Sequence, residues 1–198
     1  MDQKNSSKRF SINSVKRKYI FIAVAVVLCI DVLYLGSSFY QSHIRPRYAK
    51  LSDQEKIKKV FSLYREYKEA SFAGADDILA HNVFEFFPSQ GVLFVDVRTK
   101  QEQEVSMIPY AVSRDEFEKD IEKYKGIVIV AYCTIGERSG SYVLALKEKG
   151  FQAFNLTGGI LAWIHNGRKL YCRGEEVKRV HVYGPQWNLA PSDYQALW

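Results

Sequence analysis

The chain has 198 residues, 47% hydrophobic and 14% aromatic, with a formal net charge of +6 and three cysteines. That length accommodates one ordinary domain with extensions. Three cysteines, at 29, 133 and 172, exclude a disulfide-stapled mini-protein and match no zinc spacing, and 12 Gly and 5 Pro exclude a fibrous repeat. The positive charge is concentrated at one end: residues 1–40 hold six basic and two acidic residues, against 22 basic and 20 acidic in the remainder. Nothing in this distribution calls for nucleic acid as a partner.

Residues 1–18 form a basic tail ending in Lys16-Arg17-Lys18, and residues 19–40, YIFIAVAVVLCIDVLYLGSSFY, carry a single formal charge at Asp31. About 20 apolar residues suffice for a helix to cross the hydrocarbon of a bilayer. Asp31 costs roughly 2.5–3.5 kcal/mol at mid-span, which the neighbouring Leu, Ile and Val residues offset in sum. Residues 19–40 are therefore expected to be an uncleaved transmembrane signal-anchor contacting membrane lipid. The alternative is a cleaved signal peptide, with Gly36-Ser37-Ser38 near the cut and a secreted or periplasmic product. Six Lys/Arg before the span place the N-terminus on the cytoplasmic side and the rest of the chain on the opposite side.

Residues 41–70 are expected to be a juxtamembrane segment holding an amphipathic helix. Ser52-Asp53-Gln54-Glu55 has the capping-box pattern, and Ile57, Val60, Phe61, Tyr64 and Tyr67 follow at helical spacing. Lys56, Lys58 and Lys59 fall on the other, polar face. The helix could lie on the membrane, pair with a partner, or pack on the domain that follows.

From residue 71 the pattern alternates. A helix is expected over 76–87, a buried strand over 92–97, a helix over 114–124 and a second buried strand over 127–132. A helix over 139–149 capped by Gly150, a strand over 153–156 and a helix opened by Gly158-Gly159 complete the series. Strands alternating with helices predict an α/β domain, a parallel sheet with helices on both faces. Ligands in such sheets bind beyond the carboxyl ends of the strands, where the first strand delivers Asp96-Val97-Arg98 and the second Cys133 to Ser139.

A cysteine placed between a buried strand and a helix sits where backbone N–H groups and the helix's positive end favour thiolate, the nucleophilic form. Gly136 permits a tight turn and Arg138 adds a permanent positive charge. The same position also suits a structural buried cysteine.

Asp96-Val97-Arg98 followed by Glu102 and Glu104, then Ile108-Pro109, Cys133-Thr134-Ile135-Gly136-Glu137-Arg138-Ser139 and Leu156-Thr157-Gly158-Gly159-Ile160-Leu161-Ala162-Trp163, together resemble the rhodanese domain in order and spacing, over about 72–172. The resemblance implies a rhodanese-like domain at 71–172, with sulfurtransferase activity. Cys133 would be the catalytic nucleophile and persulfide carrier, and a small sulfur compound such as thiosulfate the donor. A thiophile such as cyanide, a small thiol or a protein would accept the sulfur. By the same resemblance Thr134, Ile135, Gly136, Glu137, Arg138 and Ser139 bind substrate, Asp96 and Arg98 brace the site, and no cofactor or metal is needed. Met107 stands where the family usually has His, and Tyr110 where it usually has Gly. The Cys-x4-Arg loop is one residue shorter than the Cys-x5-Arg loop of cysteine phosphatases, which favours sulfur over phosphate or arsenate. A non-catalytic, membrane-tethered binding or regulatory module is the remaining alternative.

Residues 173–198 form an aromatic extension. Val180-His181-Val182-Tyr183 alternates like a strand, and Trp187, Tyr194 and Trp198 follow. It is expected to pack on the domain, or else to shape access to Cys133. Cys172 is read as structural or exposed, with a resolving role toward Cys133 as the alternative.

Overall fold

The computed structural model describes Val26, Cys29, Ile30, Val32, Tyr48, residues 50–87 and residues 91–198. The chain divides into two units, Met1–Arg45 and Pro46–Trp198. In the first, Val26, Cys29, Ile30 and Val32 are helical; the rest of the 19–40 span lies outside the described residues. Among the described residues no helix is long and apolar enough to cross a membrane.

The second unit opens with α1, Asp53–Ser71, whose Ser52 and Glu55 form a reciprocal capping box. The elements that follow are β1 (Asp77–Ile78), α2 (Val83–Phe86), β2 (Val92–Asp96), α3 (Lys100–Val105), β3 (Val112–Ser113) and α4 (Arg114–Lys119). After them come β4 (Val128–Tyr132), α5 (Glu137–Glu148), β5 (Ala153–Leu156) and α6 (Gly159–His165). The first five strands make one sheet in the order β1-β5-β4-β2-β3, with every neighbouring pair parallel. All five residues of β4 are fully buried. Successive side chains of a strand point to opposite faces, so both faces of the sheet are covered.

Two expected helices differ. Residues 76–87 are not one helix. Asp77–Ile78 instead pair with Asn155–Leu156 and close the sheet edge, and only Val83–Phe86 is helical. A two-residue strand has no periodicity to read, and its pairing is dictated by the open edge of β5. The helix expected over 114–124 breaks at Asp120 (φ −146°, ψ 54°) and continues as a 3₁₀ turn over Ile121–Tyr124, while buried Phe117 stacks on Tyr124 at 5.1 Å.

Both flanking segments of the second unit enter the core. Val60, Leu63 and Tyr64 of α1 are buried in the same cluster as the sheet residues. Lys56, expected on the polar face, is buried because its ammonium donates to the Ala190 carbonyl at 3.0 Å. Asp53 accepts the Ser192 N–H at 2.9 Å and its hydroxyl at 2.8 Å. The C-terminal residues form a hairpin of β6 (Leu170–Cys172) with β7 (Glu175–Val177), then a parallel pair of β8 (Arg179–His181) with β9 (Gln195–Leu197). Val180 of β8 and the nearby Val182, Leu189 and Ala190 are buried.

The seating of α1 depends on one small residue. A Cβ on Gly140 of α5 would lie 2.3 Å from the ring of Phe72, the buried residue that ends α1. Gly140→Ala is therefore expected to lower unfolding free energy by about 1–3 kcal/mol, despite alanine's better helix propensity. Urea unfolding measures this, and an unchanged midpoint would mean that α1 moves aside freely.

Candidate active site

β2 and β4 lie side by side, Asp96 opposite Tyr132, so the Asp96-Val97-Arg98 and Cys133 segments leave the sheet together at its carboxyl end. Cys133 is 2% exposed, and its sulfur accepts the Gly136 N–H at 3.1 Å. α5 starts at Glu137 and aims its positive end at the loop.

The loop's carbonyl groups are held on other elements. Ile160 N–H of α6 donates to the Cys133 carbonyl at 2.9 Å, and Leu161 N–H donates to that of Thr134 at 3.3 Å. The Gly136 carbonyl accepts from the Asn155 side chain at 2.9 Å. In a trans peptide C=O and N–H point in opposite directions, so the N–H groups of Thr134, Ile135 and Glu137 are turned away from these anchors. Two glycines make this possible. A Cβ on Gly159 (φ +59°) would come within 2.4 Å of the Cys133 carbonyl oxygen, and one on Gly136 (φ +118°) within 2.5 Å of the Tyr64 ring. Asn155 also accepts the Ser139 hydroxyl at 2.7 Å and donates to Tyr64 Oη at 3.0 Å, while Tyr64 donates to Asp77 at 2.5 Å.

A cavity of about 530 Å³ opens over Cys133. Cys133, expected as the nucleophile, lines it together with Thr134, Ile135, Glu137 and Arg138 of the residues expected to bind substrate, whereas Gly136 and Ser139 do not. Ser139 is fully buried and commits its hydroxyl to Asn155, so it orders the loop from behind. Asp96 and Arg98 form an ion pair at 2.7 Å with both side chains fully buried. Arg98 also donates to the Ser106 carbonyl at 2.5 Å, clamping the segment after β2.

Glu102 was not anticipated as a site residue. It is 1% exposed and takes both ends of the Arg138 guanidinium, at 2.8 and 2.7 Å, and the Thr134 hydroxyl at 3.1 Å. The Thr99-x-x-Glu102 capping box that starts α3 is its readable signal, since it fixes Glu102 one turn beyond β2. Burial disfavours its charge, but the Arg138 bonds and the Thr99 N–H prevail and hold its carboxyl at about 2. Burial likewise opposes the charge of Arg138, while Glu102 and the Cys133 sulfur secure it and raise its pKa. Tyr183, from the C-terminal segment, lies under the same guanidinium at 5.5 Å, and Trp187 and Tyr67 complete the cavity wall. Cys172 lines a different depression, with its thiol on the Glu104 carbonyl at 3.2 Å. Tyr110 adopts the left-handed region (φ 62°) with its side chain 97% exposed, the conformation the family's glycine would take without strain. Among the described residues no three His, Cys, Asp or Glu side chains converge as a metal site would require.

The Glu102 shift has a definite sign. A carboxyl lowered from 4.5 to about 2 on folding contributes stability that is present above pH 4.5 and lost as pH falls through 2. Between pH 5 and pH 2 the wild type is expected to lose about 3 kcal/mol more unfolding free energy than Glu102→Gln. Urea titrations across that range measure the difference, and parallel curves would refute it.

Residues 85–166 match the family model described as the rhodanese-like domain. No curated protein matches the chain. Among solved structures, a rhodanese-like domain protein from Staphylococcus aureus is 28% identical, with 50% of this chain and 98% of that one covered, at a TM-score of 0.42. A rhodanese-related protein from Thermoplasma volcanium is 24% identical, with coverage of 48% and 97% and a TM-score of 0.41. A thiosulfate sulfurtransferase from Pseudomonas aeruginosa is 16% identical, with coverage of 59% and 23% and a TM-score of 0.45. With the family's motif residues gathered at the carboxyl end of a parallel sheet, the chain carries a rhodanese-like domain.

Proposed function

We propose that this protein is a membrane-anchored sulfurtransferase that works through a persulfide on Cys133. The observation that carries the reading is the Cys133 sulfur at the floor of an open cavity, accepting the Gly136 N–H with the cation of Arg138 beside it. The Cys133 thiolate attacks the terminal sulfur of thiosulfate. The S–S bond breaks, its electron pair leaves with sulfite, and the terminal sulfur remains as a persulfide anion. A thiophile such as cyanide then takes that sulfur as thiocyanate and restores the thiolate, so charge balances at each step. The loop N–H donors and the α5 terminus stabilise the anionic sulfur throughout. A small or protein thiol accepts sulfur by the same attack.

A thiosulfate:cyanide assay on the full chain is expected to show turnover that falls to background in Cys133→Ser. Absence of turnover in the wild type, with normal folding, would favour a binding module instead.

Anchoring rests on the sequence. Residues 19–40 hold the chain in the membrane, with residues 1–18 cytoplasmic and the domain on the other side. Reporter fusions before residue 19 and after residue 40 are expected to report opposite compartments. A mature N-terminus near Gly36-Ser37-Ser38 would replace the anchor with a cleaved signal.

A further inference from the structure

The cavity over Cys133 is larger, and more lined with carbon, than an inorganic oxyanion requires. Its volume of about 530 Å³ falls in the range of sites that enclose organic ligands. Three of its aromatic side chains lie outside the family-matched residues 85–166: Tyr67 of α1, and Tyr183 and Trp187 of the C-terminal segment. Tyr67 and Trp187 meet with ring centroids 6.0 Å apart and planes tilted by 55°. Each therefore limits the other's motion.

Tyr183 shows the same orientation toward the site at a local energetic cost. Its backbone sits at φ 72°, a region that bulky residues avoid, and its N–H is held by His181 Nδ1 at 3.0 Å. Its ring is nevertheless 63% exposed, over Arg138. A strained backbone holding an exposed ring at the mouth of a cavity points to a ligand that covers the ring. The charge balance agrees. Arg138 already shares its positive charge with buried Glu102 through two hydrogen bonds, and Arg114 across the cavity pairs with Glu118 at 3.1 Å. Both of these cations already have carboxylate partners, while an extensive carbon surface is available beside them.

Resting on the sulfur-transfer reading, we infer that Tyr67, Tyr183 and Trp187 bind the flat apolar body of an organic sulfane-sulfur donor and so set the donor specificity of Cys133. An aromatic thiosulfonate represents the class. The Cys133 thiolate attacks its terminal sulfur, the S–S bond breaks, and the electron pair leaves with the arenesulfinate. One sulfur stays on Cys133 as the persulfide, and no further oxidant or reductant takes part. The arene rests against the aromatic wall while the sulfonyl oxygens lie toward Arg138.

Benzenethiosulfonate and methanethiosulfonate share the reacting group and differ in the apolar body. With the full chain and cyanide as acceptor, kcat/KM is expected to favour the benzene compound by about tenfold or more, in line with the worth of aromatic contacts. Trp187→Leu should bring that ratio toward one, and Tyr67→Leu provides a second test should Trp187→Leu fold poorly. Trp198→Leu, outside the cavity, should leave the ratio unchanged. A wild-type ratio near one, or a ratio untouched by both cavity variants while Cys133 still acquires sulfur, would overturn the inference and leave sulfur transfer standing. If mass spectrometry finds no persulfide on Cys133 from either donor or from thiosulfate, the sulfur-transfer reading falls and the inference with it.

Discussion

The Cys133 loop is held by its carbonyl groups, which are satisfied on other elements while the Gly136 N–H reaches the sulfur. A buried carbonyl needs a donor, and the first N–H groups of α6 supply two while Asn155 supplies a third. This arrangement requires α6 to begin within contact of the loop, which only a residue without Cβ at 159 allows. It also requires β5 beside β4, so that Asn155 reaches under Gly136. Strand order, helix start and loop orientation are thus one constraint, and the Cys133 environment follows from it.

Around this backbone frame lie two buried ionic clusters with different tasks. Asp96 and Arg98 have fully enclosed side chains that hold the strand end and the Ser106 carbonyl, with the guanidinium over the Tyr132 ring of β4. Glu102, Arg138 and Thr134 form the second, which faces the cavity, with the Arg138 side chain about one-third exposed. Buried ion pairs add little net stability over apolar packing, but losing one partner leaves a costly unpaired charge. Their effect here is positional. Glu102 limits where the guanidinium of Arg138 can sit, and with it the field at the sulfur and the charge left for a ligand.

The site is not confined to the residues matched by the family model. Tyr64 of α1 fills the space beside Gly136 and bonds Asn155, and the latch of Asp53 and Lys56 onto residues 190–192 ties the helix to the C-terminal segment. Between them these two segments wall the cavity with Tyr67, Tyr183 and Trp187. Deleting either would remove structure from the site as well as from the core.

The sequence by itself determined the parallel α/β architecture, the capped helix at 53 and the exit of the Asp96-Val97-Arg98 and Cys133 segments at the carboxyl ends of buried strands, because hydrophobic runs and capping boxes are local properties. It did not reveal that Asp77–Ile78 closes the sheet edge, since two residues carry no period. Lys56 looked solvated and proved buried, because the Ala190 carbonyl that receives it lies 134 residues away. Ser139 resembled a substrate contact and proved a support for Asn155, because its direction depends on where β5 falls. Glu102 carried a readable cap, yet its pairing with Arg138 required α3 and α5 to converge. The aromatic wall arose only when α1 and the last 26 residues folded onto the same face. Local patterns specify elements and nominate chemistry; the direction and partners of each side chain belong to contacts distant in sequence, and only the tertiary structure decides them.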